Sequence, residues 1–196
     1  DSIKGGIMHR KIHITYNAPV TLTFILICGA VTLLGYLTGG RSTASLFAVY
    51  GLQLNDPLTY LRLFTHVLGH ADLSHFLNNA MYLLILGPML EEKYGSRAMI
   101  QMIVSTAFVT GLLHALFWGN TGLLGASGIV FACIMMASFT AFHQGEIPLT
   151  FVLVLILYLG MEVYNGIVIR DNISNLTHII GGLCGSVIGY SLNRNR

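Results

Sequence analysis

The stretch VTLTFILICGAVTLLGYLTGG, residues 20–40, decides the class of fold. It contains no charged side chain, and a helix that crosses the hydrocarbon core of a bilayer needs about 20 mostly apolar residues. The run is too long for the apolar region of a secretory signal peptide, and it lacks an obvious cleavage site. The stretch therefore predicts a transmembrane helix.

The composition of the whole chain agrees with this. Its 196 residues are 54% hydrophobic and 9% charged, whereas soluble domains carry about 25% charged residues. So few charges cannot cover a water-facing surface, which predicts an integral membrane protein. The net charge of +2 is too small and too dispersed to indicate a nucleic-acid partner. Cys28, Cys133 and Cys184 lie in apolar runs and are interpreted as small core residues rather than disulfides or metal ligands.

Five more apolar segments predict helices, at about residues 73–90, 98–118, 127–143, 148–164 and 175–192. A mixed stretch, 41–71, separates the first two helices and is apolar enough to lie on the membrane. We predict an all-α integral membrane protein with one domain, a bundle of six transmembrane helices over residues 20–192. Residues 1–19 form an N-terminal segment and residues 193–196 a C-terminal tail.

Basic residues divide unevenly between the two sides of such a bundle. Seven fall on one side: Lys4, Arg10, Lys11, Lys93, Arg97, Arg194 and Arg196. Three fall on the other: Arg41, Arg62 and Arg170. Because cytoplasmic loops carry an excess of Lys and Arg, both termini are predicted to be cytoplasmic. Ser127, His75 and His178 then lie at similar depth, since each stands near the start of a helix that enters from the outer side.

A serine and a histidine form the first candidate pair. Ser127 lies in LLGASGIVF, residues 123–131, and His178 heads a stripe of glycines on one helical face: Gly181, Gly182, Gly185 and Gly189. Helix packing explains the glycines alone, but an ionisable group within a span is functional by default. If the fourth helix packs on this stripe, the Ser127 hydroxyl can reach the imidazole, the commonest base for activating a serine. The sixth helix holds no Asp or Glu, so the sequence predicts a dyad.

The second helix supplies candidate oxyanion donors. His75 and Asn79 are four residues apart and share a helical face. Their side chains could donate to the same oxygen as the Ser127 backbone N–H, and one such donor lowers the barrier by about 3 kcal/mol. Gly125 and Gly128 are interpreted as opening the backbone around Ser127.

Together these residues resemble the rhomboid family of intramembrane serine proteases. Gly-Ala-Ser-Gly at 125–128 is similar to the family's GxSG box. Its second-helix histidine pattern is matched by His66, His70, His75 and Asn79, and its HxxGxxxG box by His178, Gly181 and Gly185. Arg62 in the loop before His66, and Glu91 and Gly95 at the end of the second helix, also match. The resemblance covers roughly residues 20–192.

The resemblance implies a role for each matching residue. Ser127 is the nucleophile, His178 the base, and His75, Asn79 and the Ser127 N–H form the oxyanion hole. The site-shaping residues are Gly125, Gly128, Phe131, Gly181 and Gly182; Phe131 stacks on His178 at a position where many relatives have tyrosine. Arg62 and Glu91 hold loops, whereas His66, His70 and Asn79 help to line or support the site cavity.

The implied activity is cleavage of other proteins' transmembrane segments near the outer face of a cell membrane, most simply a prokaryotic plasma membrane. Substrates would have small residues on the acyl side and locally unstable helices. The partners are then transmembrane substrates and the lipid bilayer. A serine mechanism requires no cofactor or metal.

There are three alternatives to an active serine protease. A zinc site of His66, His70 and His75 conflicts with Gly69 and with the helix start near Asp72, which keep the three off one helix, and there is no HExxH. Transport usually places carboxylates within spans, but the acids here lie at helix ends. A catalytically inactive relative that binds transmembrane clients stays open, because an intact motif does not prove turnover.

Overall fold

The computed structural model describes residues 13–141, 147–168 and 172–194. The helices are α1 (Pro19–Leu37), α2 (Arg41–Leu46), α3 (Pro57–Thr65), α4 (Leu73–Tyr94), α5 (Ser96–Phe117), α6 (Ser127–Ser138), α7 (Leu149–Val168) and α8 (Asn172–Arg194), with 3₁₀ turns at His66–Leu68 and Phe139–Ala141. Within those ranges the chain forms no strand beyond one isolated bridge between Val49 and Leu123. The predicted all-α class is therefore confirmed.

Two of the described helices, α1 and α5, are long and apolar enough to cross a membrane, with mean hydropathies of 2.2 and 1.7. Many of their large apolar side chains are exposed, among them Leu33, Leu37 and Ile100. The count of six spans and the orientation of the termini stay predictions. Several of the residues on which they depend lie outside the described residues: Lys4, Arg10, Lys11, Arg170 and Arg196.

Each of the six predicted helices has a counterpart, with shifted ends. The helix predicted over 73–90 continues to Tyr94 although Pro88 lies within it. The helix predicted over 127–143 is shorter, because α6 ends at Ser138 and a 3₁₀ turn follows. The mixed stretch 41–71 holds two short helices and a 3₁₀ turn.

Two aspartates cap the N-termini of α3, within this stretch, and of α4, which follows it. Asp56 accepts a hydrogen bond from the backbone N–H of Leu58 (2.9 Å) at the start of α3. Asp72 accepts one from the N–H of His75 (2.8 Å) at the start of α4. A capping carboxylate satisfies N–H groups that have no partner within the helix. The Asp72 cap fixes the backbone of His75 in the first turn of α4.

Glu91 joins α1 to the other end of α4. Its buried carboxylate accepts hydrogen bonds from the backbone N–H groups of Val20 and Thr21, both at 2.9 Å, and from the Ser96 hydroxyl at 2.7 Å. These N–H groups belong to the first turn of α1, where the helix dipole also stabilises a negative charge. The structural role predicted for Glu91 is confirmed.

Arg62 holds the segment between α1 and α4 together. Its Nε donates to the backbone oxygen of Ser45 (2.7 Å), and its Nη1 forms an ion pair with Asp56 (3.2 Å). The Thr65 hydroxyl donates to the backbone oxygen of Leu46 at 2.6 Å. These contacts connect α3 to α2, as the predicted loop-holding role of Arg62 requires.

Helix α6 lies at the centre of the protein and packs closely on α8. Ile129, Cys133 and Met136 on α6 are completely buried. A Cβ added to Gly181 would lie 2.8 Å from the Cα of Gly128, and one added to Gly185 would lie 2.6 Å from the Cα of Ala132. The predicted packing of the fourth helix on the glycine stripe is thus confirmed.

Candidate active site

One cavity of about 770 Å³ brings together residues from three helices. Ser127 of α6, His178 of α8, and His75 and Asn79 of α4 all line it. Its volume falls in the range of ligand sites, roughly 300–1,000 Å³. These four side chains, predicted from separate parts of the sequence, therefore line one cavity.

Ser127 is the first residue of α6, directly after the N-cap Ala126. The backbone N–H groups of Ile129 and Val130 donate to the oxygen of Ala126 at 2.9 and 3.0 Å. The first N–H groups of a helix have no acceptor within it, and the positive end of the helix dipole favours an anion. Negative charge that develops beside Ser127 would be stabilised there.

Gly125 holds the loop before Ser127 against His75. Its φ of +118° is a left-handed conformation that side chains rarely adopt. A Cβ at this position would lie 2.8 Å from Cε1 and 2.9 Å from Nε2 of His75. Its N–H donates to the backbone oxygen of His66 at 2.9 Å, so both the turn and the close approach require glycine.

Gly128 has a different function from Gly125. The glycines with positive φ in the described chain are Gly39, Gly40, Gly95 and Gly125. A Cβ on Gly128 would make only ordinary contacts, 3.5 Å from the methyl carbons of Thr110 and Thr177, so it is Gly181 that the close approach of α8 to α6 requires. The interpretation that both glycines open the backbone is wrong for Gly128, because it already lies in the first turn of a regular helix.

The rings of His178 and Phe131 are in contact, with centroids 4.3 Å apart and planes inclined by 35°. Phe131 lies one turn after Ser127 on α6, and Ser127, Phe131 and His178 all line the cavity. The stacking implied for these two rings is confirmed.

Asn79 has an unpaired donor. Its side chain is 7% exposed, and among the described residues its Nδ2 has no hydrogen-bond partner. A buried donor without an acceptor costs roughly 1–3 kcal/mol, and an oxygen bound in the adjoining cavity would remove that cost. His75 lines the same cavity one turn earlier.

A family model, the Rhomboid domain, matches residues 57–195. The chain belongs to the rhomboid family. It is 26% identical over 182 residues to a rhomboid protease GlpG of Yersinia pestis (strain Pestoides F), covering 90% of this chain and 64% of that protein. It is 26% identical over 179 residues to the rhomboid protease GluP of Bacillus subtilis (strain 168), covering 86% of this chain and 34% of that protein. The chain thus spans less than two thirds of the length of these relatives.

Two histidines of this rhomboid chain, predicted to line or support the cavity, lie behind it and contact residues of the site: the backbone oxygen of His66 accepts from Gly125, and the ring of His70 contacts that of His75. Neither His66 nor His70 is among the residues that line it. His66 is buried in a 3₁₀ turn, with Nε2 3.0 Å from the backbone oxygen of Ala107. His70 lies in the following loop, so the two do not continue the helical face of His75. No three His, Cys, Asp or Glu side chains in the described ranges are grouped to hold a metal.

The loop before Ser127 contributes lining residues that the sequence did not indicate: Thr121, Gly122, Leu123 and Leu124. Leu123 and Val49 exchange backbone hydrogen bonds of 2.9 and 3.0 Å. This bridge joins the loop to the segment between α2 and α3. Such a long-range pair leaves no local pattern in the sequence.

Replacing Gly125 with alanine should lower turnover at this site by about 100-fold. The added methyl would displace His75 or Ser127, and a misplacement of about 1 Å can lower a reaction rate by about 100-fold. Gly95→Ala is the matched control, since Gly95 also has a positive φ (+87°) but nothing within 4 Å of its Cβ. Cleavage rates of both variants, measured beside their thermal unfolding, separate the clash from backbone strain. Equal activity of Gly125→Ala and Gly95→Ala would contradict the clash with His75.

Acid should destabilise the protein between about pH 6.5 and 4. Burial lowers the pKa of both His66 and His70 from 6.5 to about 4. In this window the unfolded chain binds more protons than the native protein. The free energy of unfolding is therefore highest above pH 6.5 and decreases as the pH is lowered toward 4. We expect the unfolding temperature in detergent to drop by roughly 5 °C or more across the window. A flat profile, or one altered equally by replacing the exposed His13 with glutamine, would refute this.

Proposed function

We propose that this rhomboid chain is an intramembrane serine endopeptidase. It uses a dyad of Ser127 and His178 to hydrolyse peptide bonds in or near transmembrane segments, close to the outer membrane face. The observation that carries the proposal is the shared cavity, in which Ser127 and His178 meet His75 and the unpaired amide of Asn79. Relatives named as rhomboid proteases support the same reaction class.

In the first half-reaction, His178 removes the hydroxyl proton of Ser127 as the oxygen attacks the scissile carbonyl carbon. The carbonyl π electrons move to oxygen, and the resulting oxyanion accepts hydrogen bonds from the Ser127 N–H, His75 and Asn79. When the carbonyl re-forms, the C–N bond breaks and His178 gives its proton to the departing amine. An ester to Ser127 remains.

In the second half-reaction, His178 removes a proton from water, whose oxygen attacks the ester carbonyl. Collapse of this second oxyanion breaks the bond to Ser127, which takes the proton back from His178. The second product is a carboxylic acid, which loses its proton to water; together with the amine released earlier it leaves the enzyme unchanged, and only water is consumed.

The substrate must present an extended segment. A regular helix occupies its carbonyl groups in i to i+4 hydrogen bonds, and in lipid these bonds have no water to replace them. A segment that unwinds locally can instead enter the cavity, where Thr121 and Asn78 offer hydrogen-bonding groups. Transmembrane segments with weak helices are therefore the expected substrates.

Labelling by a fluorescent fluorophosphonate tests this function. Purified wild-type protein should label, and Ser127→Ala and His178→Ala should not, because the reagent reacts only with an activated serine. Ser138→Ala is the matched control, since Ser138 lies on the same helix and donates to the backbone oxygen of Ile134 (2.9 Å). It should label as the wild type does. Labelling of Ser127→Ala at the wild-type level would overturn the assignment of the nucleophile.

The same experiment addresses the second function. A folded wild-type protein that does not label would favour a catalytically inactive relative that binds transmembrane clients without cutting them. Capture of a transmembrane peptide by both wild type and Ser127→Ala, with no product formed by either, would support that function.

A further inference from the structure

His70 lies directly behind His75, outside the cavity. The two ring centroids are 5.1 Å apart and the planes meet at 75°. His70 is 3% exposed and does not line the cavity. A substrate in the cavity would touch His75 and not His70, so any effect of His70 on the reaction must pass through its neighbour.

The orientation of the His75 ring rests on packing. Within the described part of the chain, neither ring nitrogen of His75 has a hydrogen-bond partner; its backbone N–H alone is held, by Asp72 at 2.8 Å. Gly125 confines the ring from one direction, since even a methyl there would lie 2.8 Å from Cε1. The ring of His70 lies edge to face against it. Imidazole orientation is therefore set by these neighbours.

His70 is itself fixed in place. Its Nδ1–H donates to the backbone oxygen of Leu68 (3.2 Å), which leaves Nε2 unprotonated in the neutral ring. Its ring also meets the ring of Phe76 at 5.6 Å and 80°. A buried ring held by a hydrogen bond and by the contact with Phe76 offers a rigid support.

We propose that His70 is a positioning residue that holds the His75 imidazole in the orientation required to donate to the oxyanion. The inference rests on the proposed protease function. An oxyanion donor stabilises the transition state only at the correct geometry, so a loose His75 slows the chemical step and leaves substrate binding nearly unchanged.

Two replacements of His70 separate its ring from its hydrogen bond. His70→Phe keeps an aromatic ring and loses the donor to Leu68, whereas His70→Gln keeps a donor and loses the ring. With a transmembrane substrate in liposomes, we expect kcat to fall about 10- to 100-fold in His70→Gln. KM should change little, and His70→Phe should retain most of the wild-type kcat.

A cycle with His75→Ala distinguishes positioning from a general structural role. If His70 acts through His75, adding His70→Gln to His75→Ala lowers kcat no further. An equal loss in both backgrounds, or a wild-type kcat in His70→Gln, would overturn the inference while wild-type cleavage still upheld the protease. An inactive, unlabelled wild type would overturn the protease function and this inference with it.

A measurement on the unaltered protein covers the case in which a His70 variant does not fold. In selectively histidine-labelled protein, we expect a single set of His75 ring signals, with nuclear Overhauser contacts to the His70 ring. Two or averaged sets of His75 signals, without those contacts, would show that the ring is not held and would overturn the proposal.

Discussion

Ser127→Ala should reduce cleavage of a transmembrane substrate by about 10⁴-fold or more, the size of effect seen when a serine-protease nucleophile is removed. The change deletes one oxygen from a half-buried side chain at the first position of α6. The N-cap oxygen of Ala126, which accepts from Ile129 and Val130, is untouched. We therefore expect thermal unfolding close to that of the wild type, and cleavage in liposomes is the measurement.

His178 should give a loss of the same order, and the two losses should not add. Once the base is absent the serine is a weak nucleophile, so the double variant should be no slower than either single one. His178→Phe is the best variant for this test, because it removes the base but keeps an aromatic ring against Phe131. In the wild type the two ring centroids are 4.3 Å apart. Retention of more than about 1% of wild-type turnover in either variant would contradict a dyad.

The sequence predicted those features that a local pattern records. Long apolar runs located the helices, and the offsets of Gly181 and Gly185 from His178 predicted which face of α8 meets α6. The four-residue spacing of His75 and Asn79 likewise placed both on one face of α4, and both line the cavity. In each case the periodicity of a single helix was sufficient.

Features built from distant segments were not predictable in this way. Gly69 and the helix start near Asp72 predicted that His66 and His70 lie outside the helix of His75, but they could not show that neither ring lines the cavity. The bridge of Leu123 to Val49 joins residues far apart in sequence. The different conformations of Gly125 and Gly128 leave no mark in the sequence, because a glycine with a positive φ and a glycine within a regular helix are the same residue there.

Gly185→Val should be the most destabilising of the single changes considered, lowering the free energy of unfolding by about 3 kcal/mol. The first carbon of the new side chain would lie 2.6 Å from the Cα and 2.7 Å from the carbonyl carbon of Ala132. Those are backbone atoms of Ala132, which is completely buried, so no side chain can rotate to relieve the overlap. The unfolding temperature should fall by roughly 10 °C, measured in detergent.

The matched control places the same side chain on the opposite face of α8. Leu183→Val lies on an exposed position, 60% accessible, so it should leave the unfolding temperature within about 2 °C of the wild type. Because α8 carries His178, separation of the helices by Gly185→Val should also slow fluorophosphonate labelling of Ser127, even in molecules that stay folded. If both valine variants unfolded alike, the close approach of α6 and α8 could not be what brings serine and histidine together.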